Sequence, residues 1–295
     1  MSENAIWTEN LTRYYGRVRG IDGLNLKVEP GEFFGFIGPN GAGKSTTIRT
    51  LLGLIAPSAG RGQVLGMDIV RDRKAILARV GYLPSETAFY HGMRVREILK
   101  LSADIRGKNC DAEAGRLCER LQLDRERKVE DLSFGNRRKV GIVCALQYEP
   151  ELLILDEPTG GLDPLMQHAF FSILRERNQR GTTIFLSSHV LSEIRRYCGR
   201  AAFIREGRII ACDAVENLAR AGARRVTFSG SLKREALPEA RDWKETEDTV
   251  SFLYNGEMNR LIRTLAGADI RELTVAEPDL EEIVLHFYGK SGEDR

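Results

Sequence analysis

No apolar run in the 295-residue chain approaches the roughly 18 residues that a helix needs to cross a bilayer. No membrane-spanning helix is expected. The opening residues, MSENAIWTEN, lack both the basic start and the apolar stretch of a secretory leader, so secretion is not expected either. Cysteine is scarce and odd in number. Cys110, Cys118, Cys144, Cys198 and Cys212 include no CxxC pair and have no histidine-rich neighbourhood. A disulfide framework or zinc site is therefore not expected, and the thiols read as reduced ones in a cytoplasmic protein. An excess of one charge is missing too: 44 Lys and Arg face 42 Asp and Glu, a net +2. The basic clusters Arg71 to Lys74 and Arg125 to Lys128 alternate with acids and read as solvated faces. A nucleic-acid partner is not expected. There is no repeat of solenoid period and no low-complexity tract.

What is present is a hydrophobic content of 42 %, enough for one good core and a second, smaller one. Leu24, Leu26 and Val28 alternate with polar residues up to a Pro30-Gly31 turn, and EFFGFIG follows. This reads as strand, turn, strand. After a glycine-rich loop, Ile48, Leu51, Leu52 and Ile55 recur at helical spacing. Residues 86–148 read as a mostly helical insertion, with Val95, Ile98 and Leu99, then Leu117 and Leu121, three and four apart. LLILD reads as a strand buried on both faces, followed by a helix near Leu165 to Gln179 and the strand TTIFLSS. FIREGRIIACD reads as a closing hairpin. Residues 1–220 are thus expected to form one α/β domain. Residues 221–295 are expected to form a smaller β/α domain, with strands in RRVTFSG, DTVSFLYNG and IRELTVAEP and helices over Glu257 to Leu265 and Asp279 to Tyr288.

GPNGAGKST fits G-x4-G-K-[ST] at Gly38, Gly43, Lys44 and Ser45, between an expected strand and an expected helix. Gly38, Pro39, Asn40, Gly41, Ala42 and Gly43 let the backbone approach and aim N–H groups at phosphate oxygens, with the helix N-terminus and Thr46 behind them. A nucleoside triphosphate is the expected ligand. Lys44 would bridge β- and γ-phosphates, and Ser45 would hold Mg²⁺. Asp156, closing LLIL, is the natural Mg²⁺ carboxylate, directly or through a water. Glu157 is then free to polarise a water for in-line attack. His189, ending a strand expected to run parallel to that of Asp156, would hydrogen-bond the γ-phosphate or the attacking water.

With these residues in hand, Ile6 to Asp213 resembles the ATP-binding cassette (ABC) ATPases. GPNGAGKST, LSFGN, LLILDEPTGGLDP and LSSH occur in that order. The resemblance implies a P-loop NTPase fold of ABC type: a mixed central sheet, an antiparallel N-terminal subdomain and a helical subdomain. It implies that Ser133 and Gly135 of the signature loop reach across a head-to-tail dimer to the γ-phosphate held by the other subunit. Tyr15 would stack on adenine, with Tyr14 the alternative, and Gly161, Leu162 and Asp163 would run along the dimer interface. The implied activity is hydrolysis of ATP, with Mg²⁺, driving a separate membrane permease at the cytoplasmic face of the membrane. The second ATPase would be another copy or a related chain. The pattern is nearest to type-2 exporter subunits, whose C-terminal extensions resemble Arg225 to Gly289 with its ending EPDLEEIVLHFYG.

Three departures from that family's pattern fall at four positions. Ser85 stands where Gln usually touches Mg²⁺ or water, so a water bridge or Glu86 would substitute. Phe134 and Asn136 replace the signature's first Gly and final Gln, and Gly160 replaces a residue that is often Ser. The permease is expected to dock near Ser85 to Tyr90, where Phe89 and Tyr90 offer apolar contact. The competing reading is a soluble ABC ATPase acting on the ribosome or DNA. The short separation of Lys44 from Ser133, without heptads, argues against it, and no N-K-x-D motif points to guanine.

Overall fold

The computed structural model describes residues 4–220, 224–246 and 248–276, and the chain divides at Val215 into two compact units. In the first, β1 (Ile6–Tyr15) and β2 (Val18–Val28) form an antiparallel pair. β3 (Phe33–Ile37) leads to α1 (Lys44–Leu51), then β4 (Ala59–Val64), β5 (Met67–Asp68), α2 (Arg73–Arg79) and β6 (Val80–Leu83). Next come α3 (Val95–Asp104), α4 (Asp111–Arg120), α5 (Phe134–Leu146), β7 (Leu152–Asp156), α6 (Pro164–Gln179) and β8 (Thr183–Ser188). α7 (Leu191–Tyr197), β9 (Arg200–Arg205) and β10 (Arg208–Ala214) follow, and α8 (Val215–Arg220) begins at the division and runs into the second unit.

These strands form two sheets, an antiparallel one ordered β2-β1-β4-β5 and a mixed one ordered β10-β9-β3-β8-β7-β6. Every residue of β3, β7 and β8 is buried, because helices cover both faces of a parallel sheet. Although only a short turn separates β2 from β3, the two enter different sheets. Their buried side chains nevertheless share one core, with Leu24, Leu26 and Val28 packed alongside Phe34, Phe36, Ile48 and Phe185.

Parallel register places the chemistry. Ile37 pairs with Ser188, and Asp156 with Ser187. The loop after β3 and the ends of β7 and β8 therefore meet at one carboxyl edge of the sheet, where ligands bind in folds of this kind.

Helix α1 ends at Leu51 rather than continuing to Ile55, because the Leu54 N–H turns back to the Arg49 carbonyl at 2.9 Å. The helical stretch starts later than position 86. Residues 84–94 are irregular up to α3, whose entry is closed by Glu97 accepting from the Arg94 N–H at 2.7 Å.

The second unit contains β11 (Arg224–Ser231), β12 (Ala240–Glu245), β13 (Thr249–Tyr254), α9 (Met258–Ala266) and β14 (Asp269–Ala276). The strands form an antiparallel sheet ordered β12-β13-β11-β14. Val226, Phe228, Phe252 and Tyr254 pack with Leu261 and Leu265 of α9 in a separate core. The helix expected over Asp279 to Tyr288 lies outside the described residues.

All five cysteines are free. Burial pushes the Cys118 thiol up to about 11 and Cys144 up to about 12, which leaves little thiolate at neutral pH. Among the described residues no helix is long and apolar enough to cross a membrane.

Candidate active site

The loop between β3 and α1 turns sharply because Gly43 adopts φ 107°, and a Cβ there would lie 2.6 Å from the Gly20 carbonyl oxygen. Lys44, the first residue of α1, is buried and folds back over the loop. Its Nζ donates to the carbonyls of Gly38 at 2.6 Å and Pro39 at 3.1 Å. The same ammonium lies 3.1 Å from Glu157 Oε1. These partners satisfy the buried cation, and phosphate oxygens would compete for it.

Ser45 donates to Asp156 Oδ2 at 2.8 Å, and Ser187 donates to Asp156 Oδ1 at 3.0 Å. Asp156 is 1 % exposed, so both of its carboxylate oxygens are occupied inside the protein. Among the described residues no group of three or more His, Cys, Asp or Glu side chains gathers to hold a metal. A single carboxylate beside a serine hydroxyl suits Mg²⁺, which takes few protein oxygens and completes its shell with water and phosphate.

Glu157, one residue on, sits at φ 47°, in the left-handed region. This turn carries its side chain away from Asp156. Its second oxygen, Oε2, lies 3.2 Å from His189 Nδ1, just past the end of β8. Burial raises the Glu157 pKa, but the Lys44 ammonium and the His189 imidazole outweigh it and hold the carboxyl below its usual range. The carboxylate is therefore ionised at neutral pH, bridged between a cation and an imidazole.

A cleft of about 300 Å³ opens over this cluster, lined by Tyr15, Val18, Gly20, Gly41, Lys44 and Glu157 among others. Tyr15 lines it and Tyr14 does not. The Arg13 guanidinium lies 4.9 Å from the Tyr15 ring centroid, covering one face of the ring. Ser85 stands apart from this cleft. Its carbonyl accepts from Arg138 at 3.0 Å.

Ser133 and Gly135 are likewise absent from the cleft of their own chain. Ser133 caps α5, accepting from the Asn136 N–H at 3.3 Å, and its turn nests against Gly161. A Cβ on Gly135 would lie 2.4 Å from the Gly161 carbonyl oxygen, and one on Gly161 would lie 2.3 Å from Phe134 Cδ1. Gly161 also has φ 78°. Phe134, the departure from the signature, thus uses the space that a side chain at 161 would occupy, and 55 % of it remains exposed. Leu162 turns inward, while Asp163 caps α6 by accepting from Met166 N–H at 3.0 Å. The segment therefore presents Gly160, Gly161 and Asp163 outward rather than the Leu162 side chain.

A prediction follows from this nesting. Gly161→Ala is expected to cost about 1–2 kcal/mol from the backbone conformation alone, with a further loss from displacing Phe134. Thermal melts of the single variant and of Gly161→Ala with Phe134→Ala check it: the second change should recover the ring's share only. Equal melting of Gly161→Ala and parent contradicts it.

Sequence reasoning missed Ser187 and Arg138. Arg138 donates to the carbonyls of Pro84, Ser85, Asp156, Glu157 and Pro158. The available signal was a cation leading into the apolar run VGIVCAL of α5.

A family model described as ABC transporter matches residues 21–160. The bacitracin transport ATP-binding protein BcrA of Bacillus licheniformis is 35 % identical over 301 residues, covering 96 % of this chain and 97 % of that protein. The Nod factor export ATP-binding protein I of Paraburkholderia xenovorans is 35 % identical over 306 residues, covering 100 % of both. A solved structure of the ATP-binding subunit of an ABC transporter superposes with a TM-score of 0.69 at 32 % identity, covering 73 % of this chain and 92 % of that one. With full-length similarity to two such proteins and the phosphate loop, Asp156 and Glu157 gathered at one sheet edge, the chain belongs to the ABC transporter family as an ATP-binding subunit.

Proposed function

We propose that this chain is the energy-coupling ATPase of an exporter. Two copies, or one copy and a related chain, close head-to-tail over two Mg-ATP and drive a permease formed by a separate chain, at the cytoplasmic face of the membrane. The observation that carries this reading is the bridged carboxylate, with Glu157 3.1 Å from Lys44 Nζ and 3.2 Å from His189 Nδ1. The names of the two full-length relatives, one for bacitracin transport and one for Nod factor export, support transport, and the second supports export as the direction. They do not define the cargo.

Lys44 exchanges Glu157 for the β- and γ-phosphate oxygens when ATP enters. Glu157 then loses a cation that lowers its pKa while keeping the burial that raises it, so it becomes a better base as substrate arrives. Its carboxylate takes a proton from a water as that water attacks the γ-phosphorus in line, and the bond to the ADP oxygen breaks. His189 holds the γ-phosphate or that water. Ser45 and Asp156 would hold Mg²⁺, which would supply positive charge to offset that of the triphosphate. Tyr15 stacks on adenine with the face that Arg13 leaves open. Ser133 and Gly135 act on the partner's γ-phosphate through the hydroxyl, backbone N–H groups and the start of α5. Ser133 is exposed and Gly135 half-buried, and their placement outside their own cleft supports this role.

The permease docks on the irregular segment Ser85 to Tyr90, where Tyr90 is 71 % exposed. Phe89→Asp with Tyr90→Asp is expected to abolish co-purification with membrane protein while ATP binding is retained. Unaltered co-purification contradicts the docking site. Co-purification of the parent chain with ribosomes or DNA instead contradicts the transport reading.

A further inference from the structure

Arg138 presents an energetic problem. It lies on α5 among buried Val140, Ile142 and Val143, and it is only 2 % exposed. Burying a guanidinium is costly, and burial pulls its pKa down to about 10 against the opposing pull of Asp156 and Glu157. Its hydrogen bonds go to main-chain oxygens. Nη2 donates to Asp156 O at 2.9 Å and Glu157 O at 2.7 Å, and Nε donates to Pro158 O at 3.1 Å. Nη1 donates to Ser85 O at 3.0 Å and to Pro84 O.

Three of those carbonyls belong to the turn that carries Glu157. At φ 47°, Glu157 occupies a region that costs a non-glycine residue about 1–2 kcal/mol, and such strain persists only where the surroundings over-determine it. The Glu157 N–H is held by Ser187 O at 3.1 Å, and its carbonyl is held by Arg138. Released from that grip, the peptide could relax and swing the carboxylate off its line to the γ-phosphate.

We infer that Arg138 is a positioning residue for hydrolysis. It fixes the strained turn at residues 156–158 that aims Glu157 and ties it to the main chain of Pro84 and Ser85. The inference rests on Glu157 acting as the base. It also gives the Ser85 segment a link to the reacting carboxylate that needs no long side chain at position 85, because the connection runs through carbonyl oxygens. A shift of the segment proposed to receive the permease is passed through one rigid guanidinium to the turn holding Glu157.

The test uses the full chain with Arg138→Lys, Arg138→Ala and Glu157→Gln. An ammonium cannot reproduce the fork of N–H donors that a guanidinium presents. Arg138→Lys is expected to lower kcat about 10- to 100-fold, the scale of a roughly 1 Å misplacement of a reacting group. The Kd for ATP should stay within about threefold, since the Lys44 hydrogen bonds to Gly38 and Pro39 and the Ser45–Asp156 hydrogen bond do not involve Arg138. Added guanidinium chloride at low millimolar concentration should restore part of the turnover of Arg138→Ala but none in Glu157→Gln. Parent-like turnover in Arg138→Lys overturns the inference. So does a proportional loss of kcat and ATP affinity in that variant, which is the mark of a merely structural role. If Arg138→Ala does not fold, the lysine variant decides alone. If Glu157→Gln hydrolyses ATP at the parent rate, the reading of Glu157 fails first. If that variant is inactive and Arg138→Lys is unaffected, only the role of Arg138 fails.

Discussion

Glu157→Gln is expected to lower ATP turnover by about 10² to 10⁴-fold, the usual contribution of a general base, or roughly 3–5 kcal/mol at 1.36 per decade. The substitution keeps the size of the side chain and one acceptor oxygen, so the phosphate loop and the Ser45–Asp156 hydrogen bond at 2.8 Å stay intact. ATP affinity should therefore hold while hydrolysis stops. Because the Glu157 carboxyl lies below its ordinary range before ATP enters, its ionised form is present at neutral pH, and its loss in kcat/KM comes only as pH falls through that lowered value. The parent's rate should carry an acid limb from this group, and the residual rate of the glutamine variant should not. Steady-state phosphate release across pH measures both effects, and a variant turning over like the parent removes Glu157 from the chemistry.

Lys44→Ala should have the second large effect, on binding rather than on turnover. The ammonium now satisfies two carbonyls and one carboxylate. Deleting it takes a donor from all three, though Pro39 O keeps the Ala42 N–H and Glu157 keeps His189, and it removes the cation that meets the β- and γ-phosphates. Losing one partner of a buried charge pair costs about 2–5 kcal/mol, equivalent to about 30- to 4,000-fold in Kd at 1.4 kcal/mol per decade. Titration with a fluorescent ATP analogue should show this loss. Glu157→Gln, measured alongside, should bind like the parent. Matching affinities for Lys44→Ala and the parent contradict the assignment of the phosphate loop.

Much of this site was legible because its chemistry is written in adjacent residues. A loop that wraps phosphates needs glycines and a lysine in sequence, and a strand buried on both faces needs a continuous apolar run, so GPNGAGKST and LLILD announce themselves. The pairing of β7 with β8 was also within reach, since both read as fully buried strands. Among the elements whose side chains mostly face water, β4 and β12 were not legible. β4, AGRGQV, has only Gly62 and Val64 buried, and β12, ARDWKE, buries only Ala240. Neither carries the alternation that identifies a strand. Arg138 was hidden for a different reason. Its partners lie 18 to 54 residues away, and its sequence neighbours Arg137 and Lys139 make it look like one more solvated cation. The same holds for Phe134 and Gly161, a departure from the family pattern and a glycine whose fit to one another exists only in three dimensions.

The central claim is that two chains complete one another's ATP sites, with Ser133 of each acting on the nucleotide held by the other. The most direct measurement is the light-scattering mass of purified Glu157→Gln with and without Mg-ATP, since blocked hydrolysis should trap the closed pair. Glu157→Gln should be a monomer that becomes a dimer on adding Mg-ATP, and should return to monomer when Ser133→Arg is added to the same chain. A variant that binds Mg-ATP at full affinity and stays monomeric at every concentration would contradict the pairing of two copies of this chain.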